Sequence, residues 1–131
     1  MIIPGDLRYS SDHEWISVVP DSGDGDTIKV GITDFAQDNL GDVVFFQLPT
    51  VGTRVSIGDS FGEVESTKSV SDIYAPVDGE IIEINPTLED DPGLVNRDPY
   101  GEGWICVIRT SDVSQIGRLL DADGYAALVG D

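Results

Sequence analysis

The chain has 131 residues, which fits one domain over residues 1–131 that buries roughly two-thirds of its unfolded surface. Lys and Arg number 7 against 25 Asp and Glu, so the formal net charge is −18. This charge disfavours nucleic acid and anionic membranes as partners, and it fits either solubility alone or steering towards electropositive proteins.

The first third of the chain predicts a β-hairpin followed by a short helix. Residues 13–19 and 27–32 have strand-like composition and flank a polar, glycine-rich loop, which is the pattern of an antiparallel hairpin. Thr33 is typical of a helix N-cap, and Gly41 is typical of the residue that ends a helix. We therefore expect a helix over residues 34–40.

Most of the remaining chain predicts short strands joined by turns. Glycine, proline and asparagine separate runs of apolar or alternating residues. The expected strands cover residues 43–48, a short piece within 51–59, then 60–64, 70–75, 80–84 and 103–110. Residues 85–93 are expected to form loops with one helical turn. The sequence thus predicts a mostly β fold.

A C-terminal helix is expected after the last strand. Ser111 is placed as its N-cap, and apolar residues follow at helical spacing. These residues are Val113, Ile116, Leu119 and Leu120. Their spacing predicts that this side of the helix packs against the core, and it indicates no other role.

Two patterns that could carry chemistry have simpler interpretations. The acidic segment 21–26 lacks the ligand spacing of a calcium loop, so a solvated turn is the better interpretation. Cys106, the single cysteine, lies in an apolar run and is expected to pack as a small hydrophobe. Its pairing with the single histidine, His13, as nucleophile and base is the remaining alternative. We predict no metal site.

The cysteine count and the N-terminal residues bear on the compartment. One cysteine allows no internal disulfide, which fits a reducing environment. The N-terminal residues resemble neither a secretory signal nor an Arg-rich transit peptide, and no apolar stretch reaches spanning length. We expect a cytoplasmic bacterial protein, or a processed protein of the mitochondrial matrix if the source is eukaryotic.

Lys68 is the residue that indicates a function most directly. It lies between the strand-like runs 60–64 and 70–75, at the expected tip of a hairpin. The other lysine, Lys29, lies inside a predicted strand. A lysine fixed at a turn suits an acylating enzyme, because amide formation would remove its charge and create a neutral stalk for a cofactor. From the hairpin alone, an ordinary surface lysine remains the alternative.

Several segments together resemble a known family. The segment 62–72 has Lys68 at its centre and is followed by Pro76 and Gly79. Five further segments carry the same resemblance, namely 9–15, 30–37, 40–44, 48–53 and 94–104. In this order they closely resemble the H protein of the glycine cleavage system, a lipoyl-carrying relative of the biotinyl/lipoyl domains. The resemblance covers nearly the whole chain.

The resemblance implies a fold and a modification. The implied fold is a flattened barrel-sandwich of the biotinyl/lipoyl type, with a short helix in the N-terminal half and a C-terminal helix. Lipoate would be joined by an amide bond to Lys68, and lipoyl-attaching enzymes would recognise the residues around it. Those residues are Glu65, Ser66, Thr67, Ser69, Asp72 and Gly79. Thr67 stands where the family often has a small apolar residue.

The implied function is that of a carrier without catalytic residues of its own. The lipoyl arm would take an aminomethyl group from the pyridoxal-phosphate glycine decarboxylase and present it to the tetrahydrofolate-dependent aminomethyltransferase. Dihydrolipoyl dehydrogenase would then reoxidise the arm. Three alternatives remain: a lipoyl donor to other lipoyl proteins, a structural or interaction protein with an unmodified lysine, and, last, a stand-alone enzyme.

The cargo of such an arm should need protection. A cationic aminomethyl group can be hydrolysed, so we expect a surface cleft with carboxylates to hold it. The candidates are Glu14 and Asp34, together with Glu65 and Asp72. The alternative for Glu14 is a surface or strand-pairing residue.

Overall fold

Residues 1–19 and 26–130, which this computed structural model describes, form two antiparallel β-sheets and several short helices. The strands are β1 (Arg8–Tyr9), β2 (Glu14–Val18), β3 (Thr27–Ile32), β4 (Val43–Gln47), β5 (Arg54–Val55), β6 (Ser60–Ser66), β7 (Val70–Tyr74), β8 (Gly79–Ile84) and β9 (Cys106–Thr110). The helices are α1 (Asp34–Leu40), α2 (Thr87–Asp90), α3 (Leu94–Arg97), α4 (Ser114–Gly117) and α5 (Ala122–Val129). None of these helices is long and apolar enough to cross a membrane.

The two sheets share one apolar core. The larger sheet has the strand order β1-β2-β3-β9-β8-β5, and the smaller has the order β4-β6-β7. Ile28 and Ile108 from the larger sheet pack in the same buried cluster as Val64 and Ile73 from the smaller sheet. This burial of apolar side chains is the main force that holds the sheets together. The predicted mostly β, sandwich-like fold is confirmed.

The N-terminal hairpin and the first helix form where the sequence predicts them. β2 and β3 pair in antiparallel register, while the predicted turn and calcium-loop alternative at 21–26 fall almost entirely outside the described residues. Thr33 caps α1, because its hydroxyl accepts a hydrogen bond from the backbone N–H of Ala36 at 3.2 Å. Gly41 ends the helix with φ of 78°, a conformation that favours glycine.

Two stretches of the second half differ in detail from the prediction. The helical turn expected within 85–93 is present as α2, but the sequence does not predict α3, which follows directly after that stretch. The last strand begins at Cys106 rather than at residue 103. Ile105 still donates its backbone N–H to Val30 O at 2.8 Å, so pairing with β3 begins just before the assigned strand.

The prediction for the C-terminal helix is wrong in its position. Leu120 forms an antiparallel bridge with Tyr9, with N–H to O distances of 2.8 and 2.9 Å, and this pairing interrupts the expected helix. Asp121 then caps α5 by accepting from Gly124 N–H at 2.8 Å. Ser111 is not a cap, since Asp112 accepts from the first residue of α4 instead.

The apolar residues predicted for one side of that helix pack in two different clusters. Ile116 and Leu119 pack against the main core, and Leu120 packs against a second cluster built on Tyr9, Trp15 and Tyr125. Val113 is 50% exposed and faces solvent. A C-terminal helix therefore exists as predicted, but α5 supplies it.

Candidate functional site

Lys68 lies in the turn that joins β6 to β7, and it is exposed. The hydroxyl of Ser66 accepts hydrogen bonds from the backbone N–H groups of Lys68 at 3.3 Å and Ser69 at 3.1 Å. The backbone N–H of Ser66 donates to Ser69 O at 2.8 Å. Ser66 is buried and shapes the turn from inside, whereas Thr67 and Ser69 are exposed beside the lysine. The structure thus places Lys68 at a hairpin tip, as the sequence predicts.

The stem of the lysine side chain lies along Gly41, at the end of α1. A Cβ atom on residue 41 would be 3.0 Å from Lys68 Cε and 3.7 Å from Nζ. Any side chain at this position would therefore displace the lysine. The backbone N–H of Thr67 also donates to Asp42 O at 3.0 Å, so the hairpin tip rests on the segment that follows α1.

The side chain of Asn96 in α3 holds that segment in place by hydrogen bonds. Its side-chain N–H₂ donates to Gly41 O at 2.9 Å and to Gln37 Oε1 at 3.0 Å. Its side-chain oxygen accepts from the backbone N–H of Val43 at 2.9 Å. One carboxamide therefore connects α3, the end of α1 and the start of β4. Sequence reasoning missed this residue, although the segment 94–104 that contains it carried the family resemblance.

The two lysines of the chain differ in their surroundings. Lys29 lies within β3, and its Nζ is 5.1 Å from the centroid of the Trp104 ring, a cation–π contact. Lys68 takes part in no ion pair within residues 1–19 and 26–130. Its ammonium group is therefore the more accessible of the two for acylation.

A cleft of about 290 Å³ lies behind the lysine hairpin. Its walls are the start of β2 with the residues before it, helix α1 and strand β7, which contribute Glu14, Leu40 and Ile73 among others. A larger groove of about 670 Å³ lies beside α5, but no residue of the lysine hairpin, β6 to β7, lines it, whereas Ser69 and Val70 of the hairpin line the cleft. The cleft is therefore the better candidate for holding a cargo near the hairpin.

Glu14 is the buried acid of this cleft, with 2% of its surface exposed. Its carboxyl oxygens accept hydrogen bonds from Ser10 Oγ at 2.5 Å and from the backbone N–H of Tyr74 at 3.4 Å. Burial raises the pKa of Glu14 from an ordinary value near 4.5 to about 8, although these two hydrogen bonds oppose the rise. Glu14 is thus mostly protonated at neutral pH, and a cation in the cleft would favour its carboxylate form.

The other three candidate carboxylates lie in different places. Asp72 contributes to the cleft, and its carboxylate accepts from Ser60 Oγ at 3.1 Å. Asp34 does not line the cleft; it accepts from the backbone N–H of Ile2 at 2.8 Å and from Gln37 Nε2 at 2.7 Å. Glu65 is exposed and is not among the cleft residues. Of the four candidates, Glu14 and Asp72 line the cleft, but only Glu14 is buried there, whereas Asp72 is exposed.

A tyrosine of the C-terminal helix connects two walls of the cleft. The Tyr125 hydroxyl lies 2.9 Å from His13 Nδ1 and 2.7 Å from Thr33 Oγ1, the cap of α1. His13 has a positive φ of 70°, which is uncommon for a residue other than glycine. Tyr125 therefore fixes the strained residue next to Glu14, a role that the sequence pattern did not indicate.

Cys106 takes no part in this network. It is fully buried in the main core, and burial raises the pKa of its thiol. Its predicted role as a small core hydrophobe is confirmed, and the hydrogen bond of His13 goes to Tyr125.

Comparison with known proteins identifies the family. Residues 7–131 match the sequence profile of the family described as Glycine cleavage H-protein. The chain is 57% identical to the glycine cleavage system H protein of Mycolicibacterium vanbaalenii over 98% of each chain. It is 48% identical to that of Geobacillus thermodenitrificans, over 100% of this chain and 99% of the relative. The chain belongs to the glycine cleavage H-protein family.

A solved structure of the same family extends this result to the fold. The crystal structure of a glycine cleavage system H protein from Mycobacterium marinum superposes with a TM-score of 0.88 at 48% identity. The match covers 98% of this chain and 100% of the other. The predicted lipoyl/biotinyl-type fold of this H-protein family member is therefore confirmed.

Gly79, which the resemblance includes among the recognition residues, has a structural requirement of its own. It opens β8 in the larger sheet, where it pairs with Val55 of β5 and Thr110 of β9. A Cβ atom there would lie 2.9 Å from Thr110 Cα and would also crowd the carbonyl oxygen of Arg109. Close packing of β8 on β9 is therefore sufficient reason for glycine in this H-protein chain.

Replacing Glu14 by Gln should change how stability depends on pH. The folded-state pKa of about 8 exceeds the unfolded value near 4.5. The contribution of this carboxyl is therefore fully present below the unfolded pKa and is lost as the pH rises through the folded pKa. Relative to Glu14→Gln, the free energy of unfolding of the wild type should fall by on the order of 3 kcal/mol between about pH 5 and about pH 9.

Urea unfolding at several pH values measures this difference. Glu83→Gln, at an exposed position of β8, controls for the loss of one carboxyl group. A difference between wild type and Glu14→Gln that stays constant over this pH range would contradict the effect of burial.

Proposed function

We propose that lipoate is attached to Lys68 and that the chain serves as the lipoyl carrier of the glycine cleavage system. The observation that carries this proposal is the geometry of Lys68, whose exposed side chain is fixed at its base by Ser66 and supported along its stem by Gly41. A carrier needs this combination, because the attaching enzyme must reach one defined ammonium. Membership of the glycine cleavage H-protein family supports the same function.

The residues around Lys68 fit an amide-linked lipoyl group. Acylation of Nζ removes a positive charge that no ion pair of the described residues requires. When bound, lipoate supplies a disulfide that can be reduced and reoxidised and can carry an aminomethyl group. Thr67 and Ser69 lie exposed on either side, and Glu65 is exposed on β6. We assign these three residues to recognition by lipoyl-attaching enzymes, while Ser66 shapes the turn.

The proposed partners follow from the family. They are the pyridoxal-phosphate glycine decarboxylase, the tetrahydrofolate-dependent aminomethyltransferase and dihydrolipoyl dehydrogenase. The chain would act among them as one domain over residues 1–131, without catalytic residues of its own, in the bacterial cytoplasm. The charge of −18 fits brief docking on several partners in turn, because electrostatic steering raises encounter rates more than residence times.

Glu14 is proposed to protect the cargo. An aminomethyl ammonium in the cleft would lie beside a carboxyl group that is neutral in its absence and becomes a carboxylate in its presence. The surrounding cleft would limit access of water to the cargo. Asp34 is not assigned this role, since it does not line the cleft and its carboxylate already binds Ile2 and Gln37.

The attachment is tested by the intact mass of the protein after incubation with lipoate and a lipoate ligase. The wild type should gain one lipoyl group, and Lys68→Arg should gain none. Lys29→Arg should also gain one, because Lys29 lies within β3 against the Trp104 ring and is not the proposed attachment site. No gain in the wild type, or an undiminished gain in Lys68→Arg, would refute the assignment of Lys68.

Protection of the cargo has a separate test, namely the rate of ammonia release from protein that carries the aminomethyl group. Glu14→Gln should release ammonia about tenfold faster or more, since losing one charge-assisted contact costs on the order of 1.5 kcal/mol or more. Asp34→Asn, outside the cleft, is the control and should release it at the wild-type rate. An unchanged rate in Glu14→Gln would remove Glu14 from this role.

A further inference from the structure

The outer face of the smaller sheet carries a partly apolar row directly beside the lysine turn. Phe45 of β4 pairs with Glu65 of β6, and Glu65 pairs with Val70 of β7. Glu65 and Val70 are the ladder pair nearest the turn that contains Lys68. We call Phe45, Glu65 and Val70 the tip row. Directly opposed side chains have Cβ atoms about 5 Å apart, so the three residues form one continuous surface.

A β-bulge in β4 explains why Phe45 faces outward. The pairing register shifts between Val43 and Phe45. Val43 is buried, whereas Val44 is 52% exposed and Phe45 is 55% exposed. Regular alternation along a strand would turn one of these two consecutive residues inward. The bulge therefore adds apolar surface next to the lysine turn.

Carboxylates border this apolar surface. In the next row of the sheet, Glu63 lies opposite Gln47 of β4 and Asp72 of β7. With Glu65, three acidic residues lie on or beside the tip row, in a chain with a net charge of −18. The face thus combines half-exposed apolar side chains with an acidic border.

The acidic border discriminates between possible occupants. A second copy of the chain would bring the same carboxylates against one another, which is unfavourable. The N-terminal residues of the chain bind elsewhere, since Ile2 contacts Asp34 and Tyr100. The C-terminal helix α5 packs on β1 through Tyr125 and Tyr9. The occupant that fits is a protein with basic residues around an apolar pocket.

We propose that the tip row is a docking surface for the enzyme that acylates Lys68, with Phe45 inserted into an apolar pocket that has a basic rim. This inference rests on the proposed attachment of lipoate to Lys68. It extends the recognised surface to β4, a strand outside the lysine hairpin. An enzyme that reaches Nζ of Lys68 must cover the turn, and the tip row is the surface next to that turn.

The test is the rate at which a lipoate ligase modifies the full-length, unmodified chain, measured over a range of chain concentrations. Phe45→Ser should raise KM about tenfold or more and change kcat less than about twofold, because the lysine turn itself is intact. Phe45→Leu keeps an apolar side chain and should recover most of the affinity. Ile57→Ser is the matched control, since Ile57 is 56% exposed but lies in a turn outside the smaller sheet.

Glu63→Gln tests the border independently of the apolar residue. It should raise KM and weaken the dependence of KM on salt concentration, since it removes one charge that faces the basic rim. Thermal unfolding of each variant shows whether it is folded, and if Phe45→Ser is not, Phe45→Leu and Glu63→Gln provide the test.

Three results would contradict the proposed docking surface. Equal KM values for wild type, Phe45→Ser, Glu63→Gln and Ile57→Ser would overturn the docking surface while leaving Lys68 as the attachment site. Absence of any lipoyl transfer to the wild type would instead refute the proposed function, and the docking surface with it. A concentration-dependent dimer of the wild type that Phe45→Ser abolishes would assign the face to a second copy and overturn the proposal.

Discussion

The carboxamide of Asn96 connects the segments on which Lys68 rests. It binds Gly41, Gln37 and Val43, so the end of α1 and the start of β4 cannot move independently of α3. The lysine hairpin rests on this junction through the Thr67–Asp42 hydrogen bond, and the lysine stem lies along Gly41. Each such hydrogen bond contributes only about 1 kcal/mol, but buried partners left unpaired would cost more. The position of Lys68 therefore depends on contacts from three separate parts of the chain.

The cleft depends on a second set of contacts at the other end of α1. Tyr125 binds both the cap residue Thr33 and His13, and His13 immediately precedes Glu14. Helix α1 thus has one end fixed to the residue before the buried acid and the other end fixed beneath the lysine. This arrangement holds the buried carboxyl of Glu14 in the cleft that Ser69 and Val70, next to Lys68, also line. The proposed protection of a cationic cargo requires such a carboxyl in the cleft.

Local hydrogen bonding made parts of this arrangement predictable from sequence. Thr33 and Gly41 define α1 through contacts within a few residues, and the lysine hairpin follows from alternation on both sides of a turn. The C-terminal helix was misplaced because the Tyr9–Leu120 bridge joins residues far apart in sequence. The burial of Glu14 escaped prediction for the same reason, since Tyr74 and α1 enclose it. The hairpin alone predicts an accessible lysine that suits acylation, and the family resemblance adds lipoate as the expected group.

The most direct test of the carrier function is exchange of labelled bicarbonate into the carboxyl group of glycine by a glycine decarboxylase of the system, with this chain as the only carrier. The lipoylated wild type should support exchange that rises with its concentration until it saturates. Lys68→Arg should support none, and Lys29→Arg should match the wild type. Exchange that persists with Lys68→Arg, or that is absent with fully lipoylated wild type, would contradict the account.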